Sequence, residues 1–524
     1  MENTKRSNEG QPDEDPAGFR DQSLWASTYF SYRDYSLSHK FFESEEFLEL
    51  ERRYSFLMKL DISRCFDSIY THSIEWSMRG KDFSKEHLPK RKDQTFESSF
   101  DSAIRHGNWN ETHGILVGPE SSRIFAEIII QSADRAILSS IDDGIGAHVI
   151  KRYVDDYYVF SNSSEELNRI EGVIRRALLD LNLHLNEHKK EILTRPFVSK
   201  VSVARHDVAS AIDVFFADTA SITDPAAAPL DPRQMERAKT ALITQLRRVS
   251  VELGTSYERF ASFALTVIKR KLEETRSAID EKKPKFTNGH LARLSWLIAT
   301  MRATQFLYSM DHRATTSVKL AAIYSLLMQL ATKLGCARAP LERQILDGLR
   351  DAAMGGLADD VDEVTRINHL CSVDLLLTED RRIEANDIER YIGKATTPND
   401  ARTLSLFQLV AILFLCRKRE RFASLLRSAV EEIERRVLSN TFRPLSDAAH
   451  AILLTEFIAC PYFEAKAKVT LIKHCHETIL GSTCSNKEAH EIAMDSSWIT
   501  FTDWSSSTDL ATMLARKELT PAYE

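Results

Sequence analysis

Ile150-Lys151-Arg152-Tyr153-Val154-Asp155-Asp156-Tyr157-Tyr158-Val159-Phe160 is the stretch that decides the fold. Apolar residues alternate on both sides of an acidic pair, the pattern of two short strands joined by a tight turn. Adjacent carboxylates at the tip of such a hairpin repel one another and are costly unless something neutralises them. A pair of Mg²⁺ ions would do so, since Mg²⁺ takes hard oxygen ligands, typically one or two carboxylates plus substrate phosphates. Asp61, at the end of Leu57-Met58-Lys59-Leu60, is placed to bring a further carboxylate from another strand. Two metals about 4 Å apart can activate a 3′-hydroxyl, orient an α-phosphate and stabilise leaving pyrophosphate. In such nucleotidyl transfer the protein mainly positions groups and neutralises charge. A bare Asp-Asp pair is more often a solvated turn, so the surroundings must decide.

Outward from the hairpin, Phe56–Ile62 reads as a strand leading into a turn, Ser164–Leu183 as an amphipathic helix and Val198–Ala204 as another short strand. This mixture predicts an α+β domain over residues 49–217, preceded by a segment 1–48. Asp218–Pro232, with three prolines and several alanines, is the candidate linker, giving a boundary region of 218–233. From 234 to 524 the chain reads as helix after helix. Phe422, Leu425, Leu426, Ala429, Ile433 and Val437 recur at three- and four-residue spacing, one apolar face. Polar breaks at Asp280–His290, Leu334–Pro340, Gly355–Asp362, Gly393–Asp400 and Leu438–Ser446 are spaced evenly enough to suggest an array of helical repeats, with an irregular bundle as the alternative.

At 524 residues the chain is too long for one core. Seven cysteines (65, 336, 371, 416, 460, 475, 484) lack CxxC spacing, which argues for free thiols in a reducing cytosol. Met1–Gly18 has no apolar stretch of a secretory signal, and the most apolar run, Leu404–Cys416, is shorter than the roughly 20 residues a bilayer requires. A cytoplasmic protein with no membrane partner is therefore expected. The net charge is −7: residues 1–234 carry 29 Lys and Arg against 39 Asp and Glu, the remainder 40 against 37. That balance excludes a strongly basic protein that coats nucleic acid.

Further stretches fall in a telling order. Asp61-Ile62-Ser63-Arg64-Cys65-Phe66-Asp67-Ser68-Ile69 resembles the first palm motif of reverse transcriptases, an Asp followed five residues later by an aromatic. Gly114-Ile115-Leu116-Val117-Gly118-Pro119-Glu120-Ser121-Ser122-Arg123 resembles the second, Tyr153-Val154-Asp155-Asp156 the third, and Leu185-Asn186-Glu187-His188-Lys189 the fourth. The resemblance implies that Asp61, Asp155 and Asp156 are catalytic, that Asp61, Ile62, Asp155 and Asp156 hold two Mg²⁺ ions (Mn²⁺ can substitute), and that Phe66, Gly118 and Lys189 contact the nucleotide. An aromatic ring at Phe66 would lie under the sugar and leave no room for a 2′-hydroxyl, selecting dNTPs; a core phenylalanine is the plain alternative. Lys189 is placed to approach the triphosphate or protonate pyrophosphate, or else is a surface lysine. Arg52, Arg53 and Lys59 are weaker triphosphate candidates.

The departures narrow the resemblance. Leu116 and Val117 stand where templated members carry Pro-Gln, and Arg123 replaces a Pro. Together with Gly118-Pro119-Glu120-Ser121-Ser122-Arg123-Ile124-Phe125-Ala126-Glu127, this is similar to the abortive-infection (Abi) reverse transcriptases of the AbiK and P2-prophage type. That similarity implies an α+β fingers–palm domain with reduced fingers, followed by an all-α, HEAT-like helical-repeat domain. It implies a homo-oligomer in antiphage defence and template-independent synthesis from dNTPs. The product would be single-stranded DNA attached covalently to a protein tyrosine. Tyr29, Tyr32 and Tyr35, in a serine-rich stretch ahead of the palm, are the priming candidates, and packing aromatics are the alternative. Two other readings stand beside this one: a templated RNA-directed DNA polymerase using a bound RNA, and a non-catalytic palm scaffold carrying a helical toxin or binding module. His184 and His188 stand four apart, a spacing that can chelate zinc on a helix, but they fall inside the fourth motif and are read as structural. His474, Cys475, His476 and Cys484 have poor ligand spacing and read as buried thiols and surface histidines, and Arg443 with His450 shares the spacing of some small helical ribonucleases but arises easily by chance in a helical chain of this length.

Overall fold

The alternating residues before Asp61 form β1 (Phe56–Asp61), the centre of the first part of the molecule. The computed structural model describes residues 38–87, 95–141, 146–198, 200–223, 231–254, 256–282, 289–354, 362–378, 383–392, 404–417, 419–495, 498, 500–504 and 510–514. Tyr29, Tyr32 and Tyr35 lie outside them. The chain divides into two compact units between Ser199 and Lys200.

In the first unit, α1 (Ser38–Phe42) and α2 (Glu45–Arg53) precede β1. After it come α3 (Cys65–Ser68), α4 (Ser73–Arg79), α5 (Lys81–His87), α6 (Phe96–His106) and α7 (Glu120–Ser140). The acidic hairpin is β2 (His148–Tyr153) and β3 (Asp156–Ser161), followed by α8 (Ser164–Leu179) and β4 (Glu191–Thr194). The four strands form one antiparallel sheet in the order β2-β3-β1-β4. Side chains alternate across it. Met58, Leu60, Tyr157 and Val159 face a core completed by Phe125, Ile129, Ile130 and Ala133 of α7 and by Leu167, Ile170, Ile174 and Leu178 of α8. Leu57, Tyr158 and Phe160 face the other way, where Phe41 and Phe47 make a smaller aromatic core. Helix α8 starts where the sequence says it should: the Ser163 hydroxyl accepts from the Glu166 N–H, and the Glu166 carboxylate accepts from Gly146 N–H (2.9 Å) and Ser161 Oγ (2.6 Å).

The second unit is helical throughout its described residues. It begins with α9 (Lys200–Asp218), α10 (Pro232–Leu253), α11 (Ala261–Lys282), α12 (His290–Ser309), α13 (Ala314–Lys333), α14 (Ala339–Met354) and α15 (Glu363–Leu376). It continues with α16 (Ala385–Ile392), α17 (Leu406–Cys416), α18 (Ala423–Val437), α19 (Ala448–Ala459), α20 (Ala465–Ile479), α21 (Asn486–Met494) and α22 (Leu510–Leu514). Helices alternate between two layers: α9, α11, α13, α15 and α17 pack successively on one another, as do α10, α12 and α14. Asp231 caps α10 in a capping box with Gln234, with Pro232 at the first helical position and Gly254 (φ 58°) closing the far end. Most of the Leu404–Cys416 run forms α17, which buries Leu409, Ala411, Ile412, Leu413, Leu415 and Cys416 and leaves Phe407 exposed, and no described helix is long and apolar enough to cross a membrane. All seven cysteines are free.

Two expectations need correction. Val198–Ala204 is not a strand: Lys200 opens α9, whose Ala204, Val208, Ile212 and Phe215 form a buried stripe at helical spacing. The local Val201–Val203 alternation imitates period two, but the longer repeat wins through packing. As a result the first unit ends at Ser199, not at 217, and α9 packs on α10 and α11. The expected linker at 218–233 falls inside the second unit, and residues 224–230 of it lie outside the described set.

Candidate active site

Register places the acidic residues. Asp61 and Asp156 are direct cross-strand partners on β1 and β3, so both point to the sheet face away from α7 and α8. Directly opposed residues in an antiparallel pair have Cα atoms about 4.5–5.5 Å apart. Asp155 occupies the β2–β3 turn, and its carbonyl accepts from the Ile62 N–H at 3.1 Å, tying the turn to the end of β1. The Ile62 side chain itself is 1 % exposed and belongs to the core.

Crowding is visible in the electrostatics. Desolvation is the main reason that Asp156 is pushed up to about 6, with the charges of Asp155 and Asp61 adding to it. Asp155 is raised as well, first by desolvation and then by Asp61. The loop after the sheet answers this charge. Lys189 Nζ donates to Asp61 Oδ1 at 2.7 Å, Asn186 Nδ2 to Asp61 Oδ2 at 3.3 Å, and the Asn186 N–H to the Asp61 carbonyl at 2.8 Å. The Lys189 bond to the Asp61 carboxylate holds Lys189 above its ordinary pKa. Tyr158 Oη donates to Asp156 Oδ2 at 3.4 Å.

Phe66 sits half-buried on α3, directly after this acidic face. Its carbonyl accepts from the Ile115 N–H at 2.9 Å, and the Ile69 carbonyl from the Gly114 N–H at 2.8 Å, so the second motif is fastened to the turn that carries Phe66. Gly114 has φ 84°, which favours glycine, and a Cβ there would lie 3.1 Å from the Asp67 carbonyl oxygen, a contact tight enough to push that backbone aside. Gly118 has φ 120°, a conformation that favours glycine although space is open around it. Leu116 and Val117, between the two glycines, are exposed at 45 % and 75 %. Cys65, beside the acidic group, is pushed up to about 12, first by burial and then by Asp155.

The other candidates separate. Lys59 pairs with Glu191 at 3.2 Å and lies over the Phe42 ring, while Arg53 lies over the Tyr54 ring. His184 and His188 take backbone roles: the His184 carbonyl accepts from the Ser63 N–H, and the His188 N–H donates to Asn186 Oδ1. Cys475 and Cys484 are buried thiols, and His450 Nδ1 accepts from the Arg443 N–H at 3.3 Å.

Sequence reading missed a second group of charges behind the acidic turn. Arg152 projects from β2 to the helix-covered face, where its guanidinium meets Glu127 and Asp134 of α7. Glu127 and Asp134 stand seven residues apart, two turns on one face of α7. That spacing was the available signal, but a charged helix stripe usually faces solvent.

Among the described residues no three Asp, Glu, His or Cys side chains close tightly enough to grip an ion unaided. The donor set nonetheless suits Mg²⁺. Asp61, Asp155 and Asp156 offer hard oxygens only, and the desolvated charges of Asp155 and Asp156 are unfavourable without a cation. Mg²⁺ commonly completes its shell with water and substrate phosphates.

Residues 16–221 match the family model described as reverse transcriptase (RNA-dependent DNA polymerase), less than half of the chain. The match includes Asp61, Phe66, Gly118, Asp155, Asp156 and Lys189 and covers the whole described part of the first unit. A solved telomerase from Candida albicans, in complex with a fragment of telomeric RNA, aligns with 62 % of this chain at 10 % identity and a TM-score of 0.24. This chain spans about half of that one (52 %), and the likeness is too slight to bear on fold or activity. No curated protein matches the chain.

Proposed function

We propose that the first unit is a reverse transcriptase-like DNA polymerase that joins deoxynucleotides by two-metal nucleotidyl transfer. The observation that carries this reading is the register of Asp61 against Asp156, with Asp155 at the turn and Lys189 on the Asp61 carboxylate. Asp61, Asp155 and Asp156, with the Ile62 carbonyl beside them, would hold the ions. Bound there, Mg²⁺ lowers the pKa of the attacking hydroxyl and offsets charge on the phosphates. The chain's own groups do the positioning. Asn186 and Lys189 orient the Asp61 carboxylate, and the Lys189 ammonium would hand a proton to the departing pyrophosphate. Phe66 forms the floor beneath the sugar, and the glycine-bounded loop fastened to its backbone forms the adjoining wall.

The finer reading is untemplated, protein-primed synthesis in antiphage defence, in a homo-oligomer. It draws support from the exposed apolar Leu116 and Val117 in place of a template-contacting Pro-Gln, and from the two-layer helical unit, which suits a HEAT-like array. A templated, RNA-directed polymerase is the second reading, favoured by the family whose model matches residues 16–221. One experiment addresses both. Purified protein is incubated with Mg²⁺ and each dNTP, with no template or primer added. A labelled product sensitive to both nuclease and protease supports the finer reading, whereas a product complementary to a copurifying RNA supports the second. Wild-type incorporation that persists in Asp155→Asn/Asp156→Asn overturns the polymerase assignment.

A further inference from the structure

We infer that Arg152 is a positioning residue: it locks the Val154–Asp155 turn to helix α7 and thereby sets where Asp155 and Asp156 stand relative to Asp61. This rests on the polymerase reading for its purpose, though not for its geometry.

The turn needs a restraint. Val154 has φ 54°, the left-handed region, where a β-branched side chain is strained and glycine would be at ease. Nothing in the short connection between β2 and β3 relieves that strain, so surrounding contacts must impose it. Arg152 supplies them from the α7 side, alongside the Ile62 N–H that holds the Asp155 carbonyl from β1. Its Nη1 donates to the Val154 carbonyl at 2.7 Å, across the strained residue itself. Its remaining donors are all engaged on α7: Nη1 to Glu127 Oε2 (2.8 Å), Nη2 to Glu127 Oε1 (2.6 Å) and Asp134 Oδ2 (2.6 Å), and Nε to the Asp134 carboxylate (2.9 and 3.1 Å). A guanidinium has five N–H donors in a fixed plane, and this arrangement uses them all.

A second strand enters the same lock. Arg152 and Tyr157 are cross-strand partners, and Tyr157 Oη donates to Asp134 Oδ1 at 3.0 Å. Asp134 therefore receives hydrogen bonds from both strands of the hairpin, one residue outside each end of the Tyr153–Asp156 pair. The Arg152 and Asp134 side chains are only 7 % and 6 % exposed, so water offers them little alternative. Lysine cannot replace this function: one ammonium cannot span the turn carbonyl and two carboxylates in a plane.

A purely structural ion pair would lower stability and the active fraction but leave the metal affinity of the folded protein unchanged. A positioning role predicts otherwise. Isothermal titration of Mn²⁺ into wild type, Arg152→Lys and Glu127→Gln, with folding checked by circular dichroism, separates the two. Arg152→Lys is expected to weaken Mn²⁺ binding by about ten-fold or more, as loss of a partner that orients metal ligands does. It should lower kcat with little change in the dNTP KM. Glu127→Gln, which leaves Asp134 paired, should shift both in the same direction by less. If Arg152→Lys does not fold, Glu127→Gln decides. Unchanged Mn²⁺ affinity in the folded variants overturns the inference. Failure of wild type to incorporate nucleotides would sink the polymerase reading, while the titration would still test the lock.

Discussion

Asp156→Asn removes one charge from a crowded acidic group and keeps nearly the same shape. Asp156 is held at about 6 against an ordinary 3.8. At about 1.36 kcal/mol per pH unit, that shift corresponds to about 3 kcal/mol by which the folded, metal-free protein disfavours the ionised form. Asp156 is partly open to water, and its titration is coupled to that of Asp155, so about 1–2 kcal/mol is a realistic share. The sign follows from proton counts. Between the unfolded and folded pKa values the native state binds more protons, so stability falls as pH rises from about 4 to about 6 and the penalty is complete above that. In chelator, at about pH 7.5, Asp156→Asn should therefore be more stable than wild type, and the gap should close towards about pH 4. Urea unfolding at several pH values measures this. Adding Mg²⁺ should reverse the order, because the ion stabilises only the protein that binds it. If the variant is instead less stable than wild type by about 1 kcal/mol or more in chelator, the Tyr158 hydrogen bond outweighs the crowding and the electrostatic reasoning fails.

Phe66→Ala should raise incorporation of ribonucleotides relative to deoxynucleotides, at a stability cost of about 2 kcal/mol for a half-buried ring; an unchanged ratio in competition assays would make Phe66 a core residue only. Lys189→Met should slow the chemical step by about 10²-fold in single-turnover measurements if the ammonium acts as proton donor. Its exposed ion pair with Asp61 should cost less than about 1 kcal/mol in unfolding; equal rates would leave it a surface lysine. Tyr29→Phe/Tyr32→Phe/Tyr35→Phe should abolish protein-linked DNA while retaining Mg²⁺ binding, and label still migrating with the polypeptide would place the primer elsewhere.

The hairpin and the helix after it were legible because their signals are local: alternation around Asp155-Asp156 and the amphipathic spacing from Ser164 onward. Asp61 was legible as an acidic residue ending an apolar run, and its register against Asp156 gives that reading a geometry. The start of α9 was misread because Val201 and Val203, two apart, look like a strand until Val208, Ile212 and Phe215 extend the repeat. The contacts of Arg152 were invisible for a different reason. Its partners lie 25 and 18 residues earlier, and nothing in a charged residue's identity says whether its counterion is solvent or a buried helix face. Asn186 lay inside a recognised motif, yet its bond to Asp61 depends on a loop returning across more than a hundred residues, which periodicity cannot show.

The strand order has a consequence for how the site survives motion. Sheets fray from their edges, and here the edges are β2 and β4. β4 has only four residues, with Glu191, Ile192 and Thr194 exposed, so it should exchange its amide hydrogens early. Asp61 and Asp156 belong instead to the two interior strands, and Met58 and Val159 beneath them are fully buried. Deuterium entering this unit would label the outer strands first and the β1–β3 amides last. The opposed carboxylates thus sit on the part of the sheet whose opening comes closest to unfolding the whole unit.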